Sequence, residues 1–242
     1  MEKLREELYQ RGASLVGYGL IENYYGRSTG TDFDTQEFHK IEGEIPHYPV
    51  GISIAIAIPK EVIKGISEKP TMDYYHTYKE LNQRLNSLAE FCKRYLMDLG
   101  YEAYAQTANR SKEYGNYKTV MPHKTVAVTA GLGWIGKSAL LVTKEYGSAV
   151  RLTSVLTTAP LSCSPSILDS PCRQCEICKK ACPGKAITGN EWDPEKGREW
   201  IFDALACRKR AREIALEELD KVITLCGKCI EICPYTQRYL RS

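Results

Sequence analysis

The chain has 242 residues, 43% hydrophobic and 26% charged, with 33 basic against 30 acidic side chains and a formal net charge of +3. That length suits one large domain or two modest ones at roughly 150 residues each, and the ordinary apolar fraction excludes a disordered chain. So small a net charge gives little of the one-sided field expected of a dedicated nucleic-acid binder.

The opening stretch, MEKLREELYQRGASLVGYGL, interleaves charged and apolar residues at helical spacing. It lacks the basic start and apolar run of a secretory signal. No run of 18 or more apolar residues occurs anywhere, so no membrane span is expected and the reading is cytoplasmic. The β-branched run 50–59, closed by Pro59, predicts a buried strand. Over 74–100, Leu81, Leu85, Leu88, Phe91, Tyr95 and Leu99 recur at helical spacing before Gly100, which predicts a long amphipathic helix. Residues 138–143 and 149–157 read as two further strands. The Pro- and Ser-rich stretch 157–171 reads as a connector. The expected architecture is α+β, with an α/β-like N-terminal domain over 1–160 and a second domain over 161–242.

The ten cysteines sharpen that boundary. Only Cys92 lies in the first 160 residues, and eight fall after position 171. A reducing cytosol disfavours disulfides and turns so dense a pattern toward metal or redox chemistry. Cys172, Cys175, Cys178 and Cys182 are spaced C-x2-C-x2-C-x3-C and followed by Pro183. Three closely spaced thiolates reach three irons of one cube. Proline biases the residue before it toward extended backbone, and so turns the fourth cysteine away toward a second cube. The partner run is present as Cys207, Cys226, Cys229 and Cys233, the last followed by Pro234. Ferredoxin logic gives one [4Fe-4S] cluster Cys172, Cys175, Cys178 and Cys233, and the other Cys182, Cys207, Cys226 and Cys229. Cys207 stands nineteen residues before Cys226, across a segment that reads as a helix, which makes it the least regular ligand. Zinc is the competing reading, but the x3-C-P ending repeated in both runs fits it poorly. Cys92 reads as a small core residue, and Cys163 as a connector residue with no assigned role.

Two clusters pass single electrons, so the first domain should hold what receives them. The stretch AGLGWIGKSALLVT carries Gly131, Gly133 and Gly136 at G-x-G-x-x-G spacing. A dinucleotide fingerprint needs a helix directly after the glycines and an acidic residue about 20 positions on. The residues after the loop are strand-like, and no Asp or Glu lies between 146 and 168. Gly131, Gly133, Trp134, Gly136, Lys137 and Ser138 are instead expected to let the backbone approach some other flat or phosphate-bearing ligand.

The glycine loop with its strand-like continuation GLGWIGKSALLVTKEYGSAVRLTSVLTTAPL, the segment CRQCEICKKACPGKAI and the upstream DYYHTYKELNQRLNSLAE helix together resemble the epoxyqueuosine reductase family, itself related to the reductive dehalogenases. The likeness runs over roughly residues 50–235. It implies a cobalamin held base-off beside a ferredoxin-like double-cluster domain, and a low-potential donor such as a ferredoxin or flavodoxin. Full-length members continue into a helical-repeat domain that helps hold tRNA, whereas this sequence ends at Ser242. Members also place an Asp, as proton donor, before the glycine loop, and residues 101–130 contain none. Both departures fall on substrate handling, so a small-molecule substrate is expected in preference to tRNA. Reduction needs a proton, for which His123, Lys124, Tyr75 and His76 are the candidates.

The basic run Arg208, Lys209, Arg210 and Arg212 reads either as a docking patch or as a solvated helix face whose field Glu213, Glu217, Glu218 and Asp220 offset. The expected activity is a cobalamin-dependent oxidoreductase fed by two clusters. A corrinoid-free electron-transfer protein and a genuine tRNA epoxyqueuosine reductase are the alternatives.

Overall fold

The computed structural model describes residues 2–24, 46–67, 69–107, 119 and 121–242. The elements in chain order begin with α1 (Glu2–Gln10), β1 (Leu15–Leu20), β2 (Val50–Ala57), α2 (Lys60–Lys64), α3 (Met72–Asp98) and β3 (Ala103–Gln106). Then come α4 (His123–Thr129), β4 (Trp134–Ile135), β5 (Leu141–Val142), β6 (Val150–Thr157), α5 (Ile177–Ala181), α6 (Ala204–Leu219), α7 (Lys228–Glu231) and α8 (Pro234–Arg241).

The main sheet runs β1-β2-β6-β3, and every pairing in it is antiparallel. The architecture is therefore α+β, and the α/β likeness expected of the N-terminal half is corrected: no parallel crossover links these strands. The expected strand over 138–143 contracts to Leu141–Val142, which closes a two-stranded hairpin with Trp134–Ile135. The long helix begins earlier than expected because the Thr71 side chain accepts a hydrogen bond from the Tyr74 amide, a cap that apolar spacing does not reveal.

Alternation along β2 sends Ile52, Ile54 and Ile56 to one face, where they share a core with Leu81, Leu85 and Leu88 of α3. The other face carries small residues. A Cβ on Gly51 would stand 2.6 Å from Val126 Cγ1, and one on Gly17 would stand 2.5 Å from the Ala130 carbonyl. That absence of side chain lets α4 lie close against the sheet.

The main core does not stop at residue 160. Leu161, Ala215, Leu219 and Leu225 belong to the same cluster as the strand residues. The Ser164 amide donates to the Tyr18 carbonyl, and the Tyr239 hydroxyl donates to the Ile58 carbonyl at 3.1 Å. Cys92 is fully buried in this core, as expected. Among the described residues no helix is long and apolar enough to cross a membrane.

Candidate functional site

The two prolines act as the spacing requires. Cys182 caps α5 at φ −69, ψ 113, and Cys233 precedes α8 at φ −61, ψ 128, both extended and each followed by proline. Each last cysteine thereby leaves its own run. Cys182 joins Cys207, Cys226 and Cys229 around a single cavity, with Ile187, Phe202 and Ala211 among its other walls. Cys178 has Cys172, Cys233 and Cys175 for neighbours; burial first, and those thiols second, push its pKa up to about 11. Burial and then Cys182 and Cys226 push Cys207 to about 11 as well. Cys229 is raised by burial and then by Cys226, Cys207, Cys178 and Cys182, so it stands where the two sets meet. Among the described residues no three His, Cys, Asp or Glu side chains converge as ligands of one metal ion. Four thiolates are the ligand complement of one [4Fe-4S] cube, and two such sets are gathered here.

One residue against these loops escapes sequence reading. Tyr74 is 3% exposed, and its ring lies against Gly227, where a Cβ would stand 2.9 Å from Cε1. Burial raises its pKa, and the Cys229 and Cys226 thiols add to the rise. The available signal was its place on the buried stripe with Leu81, Leu85, Leu88 and Cys92. The expected candidates are its neighbours, Tyr75 and His76, whose rings meet edge-on at 5.4 Å, Tyr75 packing partly buried against the main core. His76 is exposed. Neither lines the cleft around His123 or the one bordered by Tyr78.

The glycine loop packs closely against its own chain. A Cβ on Gly131 would meet Ser164 Cβ at 2.9 Å, one on Gly133 would overlap the Val142 carbonyl, and one on Gly136 would stand 2.8 Å from Val142 Cγ2 and 3.5 Å from Cys172 Sγ. Trp134 is buried edge-on against Tyr235 at 4.8 Å, Lys137 donates to the Arg173 carbonyl, and Ser138 is buried. Gly136 and Lys137 thereby set the β4–β5 hairpin against the loop that carries Cys172. At Gly131, Gly133 and Gly136 the space a side chain would take is occupied by the chain itself.

A polar cleft lies one element earlier. β3 pairs only with Ser154–Thr157 of β6, and Val150, Arg151 and Leu152 line a cleft of about 260 Å³ together with Gln106, His123 and Lys124. His123 Nδ1 stands 3.0 Å from Ser154 Oγ, while Nε2 is buried and has no partner among the described residues. The ring keeps some exposed area but is walled by protein, and burial, with the Arg151 charge second, pushes its pKa down to about 4. It is neutral at pH 7. Lys124 donates to the Ala139 carbonyl at 2.9 Å; burial, then the Arg198 charge, lowers its pKa to about 8.

Arg151 is held by Asn82 Oδ1 at 2.9 Å and lies 4.4 Å above the Tyr78 ring. Tyr78 in turn borders a second cleft, of about 490 Å³, with Phe202 and the cluster ligand Cys207. Of the four expected proton donors, the structure thus brings His123 and Lys124 together and leaves Tyr75 and His76 aside. Arg151, Gln106 and Ser154 were missed because a polar residue inside a strand carries no spacing signal. Residues 108–118, part of the stretch in which the family's Asp is missing, lie outside the described residues.

A mixed antiparallel body sharing its core with two four-thiolate sets defines a double-cluster iron–sulfur protein. Residues 171–236 match the family described as a 4Fe-4S double cluster binding domain. The chain is similar to the epoxyqueuosine reductases: it is 30% identical to that of Lactococcus garvieae (strain Lg2) over 205 residues, 77% of this chain and 51% of the relative. It therefore spans about half the length of that curated relative. Its fold is that of a catabolic reductive dehalogenase solved with 3-bromo-4-hydroxybenzoic acid (TM-score 0.71, 20% identity, 97% of this chain and 31% of the other). The same fold recurs in an epoxyqueuosine reductase solved with an epoxyqueuosine-modified tRNA stem loop (TM-score 0.60, 21% identity, 98% and 65%).

Proposed function

We propose that the chain is a corrinoid-dependent reductase whose two clusters deliver low-potential electrons to the cleft around His123 and Lys124. The observation that carries this reading is that three residues bearing a buried polar atom without a partner among the described residues, Gln106 (Oε1), Thr119 (Oγ1) and His123 (Nε2), line that one cleft. Each such atom costs roughly 1–3 kcal/mol when left unmet, and three on one wall mark where a ligand completes the structure. The side amides of a corrin both donate and accept hydrogen bonds, so the donor set fits. Bound there, a cobalamin would supply a cobalt centre that takes up electrons singly and acts on carbon–heteroatom bonds.

The chain's own residues supply positioning and protons. Ser154 fixes the His123 ring, whose neutral state presents Nε2 to the cleft without adding charge. Lys124, with a pKa of about 8, is mostly protonated at pH 7 and releases its proton readily, the combination that proton transfer in a reduction requires. Arg151, braced by Asn82 and Tyr78, holds a fixed positive charge on the wall.

The substrate preference read from the sequence, a small molecule over tRNA, is revised. The name of the 30% identical relative favours epoxyqueuosine carried on tRNA. Deoxygenation of that epoxide to the alkene takes up two electrons and two protons and releases water, which suits a site that joins an electron relay to a lysine acid. The test is anoxic incubation of the iron-replete, cobalamin-loaded protein with epoxyqueuosine-containing tRNA and a strong reductant. Loss of one oxygen from the modified base, read by mass spectrometry, is expected. Full iron with no retained corrinoid would point to an electron carrier, and retained corrinoid without conversion would remove the tRNA substrate.

A further inference from the structure

His123 has a polarity toward its cleft that the reductase reading leaves open. A neutral imidazole carries its one proton on either ring nitrogen, and the choice decides whether a ligand meets a hydrogen-bond donor or an acceptor. The ring is neutral at pH 7, because burial first and the Arg151 charge on β6 second push its pKa down to about 4. Its two nitrogens have different surroundings. Nδ1 stands 3.0 Å from Ser154 Oγ, while Nε2 is buried without a partner among the described residues, on a side chain that lines the cleft.

The Ser154 hydroxyl decides between the two. Ser154 is fully buried, and among the described residues its Oγ has one hydrogen-bond partner, His123 Nδ1. Ser53 stands directly opposite it in the β2–β6 register, but Ser53 Oγ has no partner and so does not take the Ser154 proton. Each tautomer leaves one hydrogen without an acceptor, in a different place. With the proton on Nδ1, the ring donates to Ser154 and the serine O–H is stranded between helix and sheet, where nothing reaches it. With the proton on Nε2, the serine donates to Nδ1, and the stranded N–H belongs to the residue on the cleft wall, where a ligand or water can accept it. A buried donor left unmet is the costlier outcome, so the second arrangement is favoured.

We propose that Ser154 acts as a positioning residue that locks His123 as the Nε2–H tautomer, which offers the cleft a fixed, uncharged hydrogen-bond donor. The ligand atom that meets His123 is then an acceptor, such as a carbonyl, hydroxyl or ether oxygen. The inference deepens the reductase reading and rests on it for what fills the cleft. The tautomer itself is measured on the free chain, so either can fail without the other.

The test is 15N nuclear magnetic resonance of the anoxically reconstituted chain at pH 7, with its clusters oxidised and its histidine rings labelled. The sequence has four histidines, and the signals lost in His123→Gln assign this ring. A protonated, pyrrole-type Nε2 and an unprotonated, pyridine-type Nδ1 are expected. Ser154→Ala should displace the Nδ1 resonance, Ser154→Thr, which keeps the hydroxyl, should restore it, and Ser53→Ala should leave it in place. Iron content and melting temperature certify each fold, and the wild-type spectrum decides the tautomer should a variant fail to fold. A wild-type ring protonated on Nδ1, or averaged between the two forms, overturns the inference. An Nδ1 resonance unmoved in folded Ser154→Ala overturns it as well.

Discussion

His123 Nδ1 and Ser154 Oγ stand 3.0 Å apart, joining the first turn of α4 to the middle strand β6 across the glycine- and serine-rich face of the sheet. The bond orients a ring whose pKa falls from its ordinary 6.5 to about 4. Between those values the unfolded chain binds a proton that the folded chain refuses, so stability is present above pH 6.5 and is lost as pH falls toward 4. From pH 7 to pH 5 this single group accounts for a loss of roughly 2 kcal/mol. Denaturant titrations at the two pH values should show that loss in wild type, and His123→Gln should reduce it by about that amount. An unchanged pH slope in the variant would contradict the burial of the ring.

Lys124 makes the complementary prediction on rate. Its folded pKa of about 8 means that turnover dependent on its proton is level below pH 8 and falls as pH rises beyond it. Lys124→Met should lower turnover by about 100-fold and remove the basic limb, whereas Lys124→Arg should move the limb upward. The pH profile of the proposed reduction, measured under saturating reductant, reads both effects.

The division of the thiolates predicts how iron is lost. Cys207→Ala removes a wall of the cavity that Cys182, Cys226 and Cys229 share, and Cys178→Ala removes a member of the other set. Each should reduce iron from about eight to about four per chain, with different residual electron-paramagnetic signals. Cys92→Ala, in the core, and Cys163→Ala, in the connector, should retain all of it.

Gly147 tests the seam between the sheet and the last helix. Its φ is +57, and a Cβ there would overlap the backbone of Thr236, whose hydroxyl accepts a hydrogen bond from the Ser148 amide at 3.1 Å. Gly147→Ala should cost at least about 2 kcal/mol and loosen α8, the helix that begins directly after Cys233. A lowered Tm together with faster iron release to a chelator is expected; a wild-type Tm would contradict the close approach.

How much of this was legible depended on whether the determinant was local. Cysteine spacing and the adjoining prolines act over a few residues, so the extended backbone at Cys182 and Cys233 and the grouping of the thiols into two sets of four could be read directly. The stripe of Leu81, Leu85 and Leu88 likewise specified α3. Strand direction was not readable, because β2 alternates in the same way whether its neighbours run parallel or antiparallel. Glycine in a sequence records only that something comes close, and the spacing could not show that Val142 packs against Gly133 and Gly136. Arg151 and Gln106 reach the His123 cleft through pairing of strands far apart in sequence, and Tyr74 meets the cysteine loops through tertiary packing, none of which spacing encodes.

The most direct measurement is the metal content of the anoxically purified and reconstituted chain. The account predicts a brown protein with about eight irons and eight sulfides per chain, in two populations that Cys178→Ala and Cys207→Ala remove separately. A colourless chain that binds zinc, or iron lost as one unit in both variants, would contradict it.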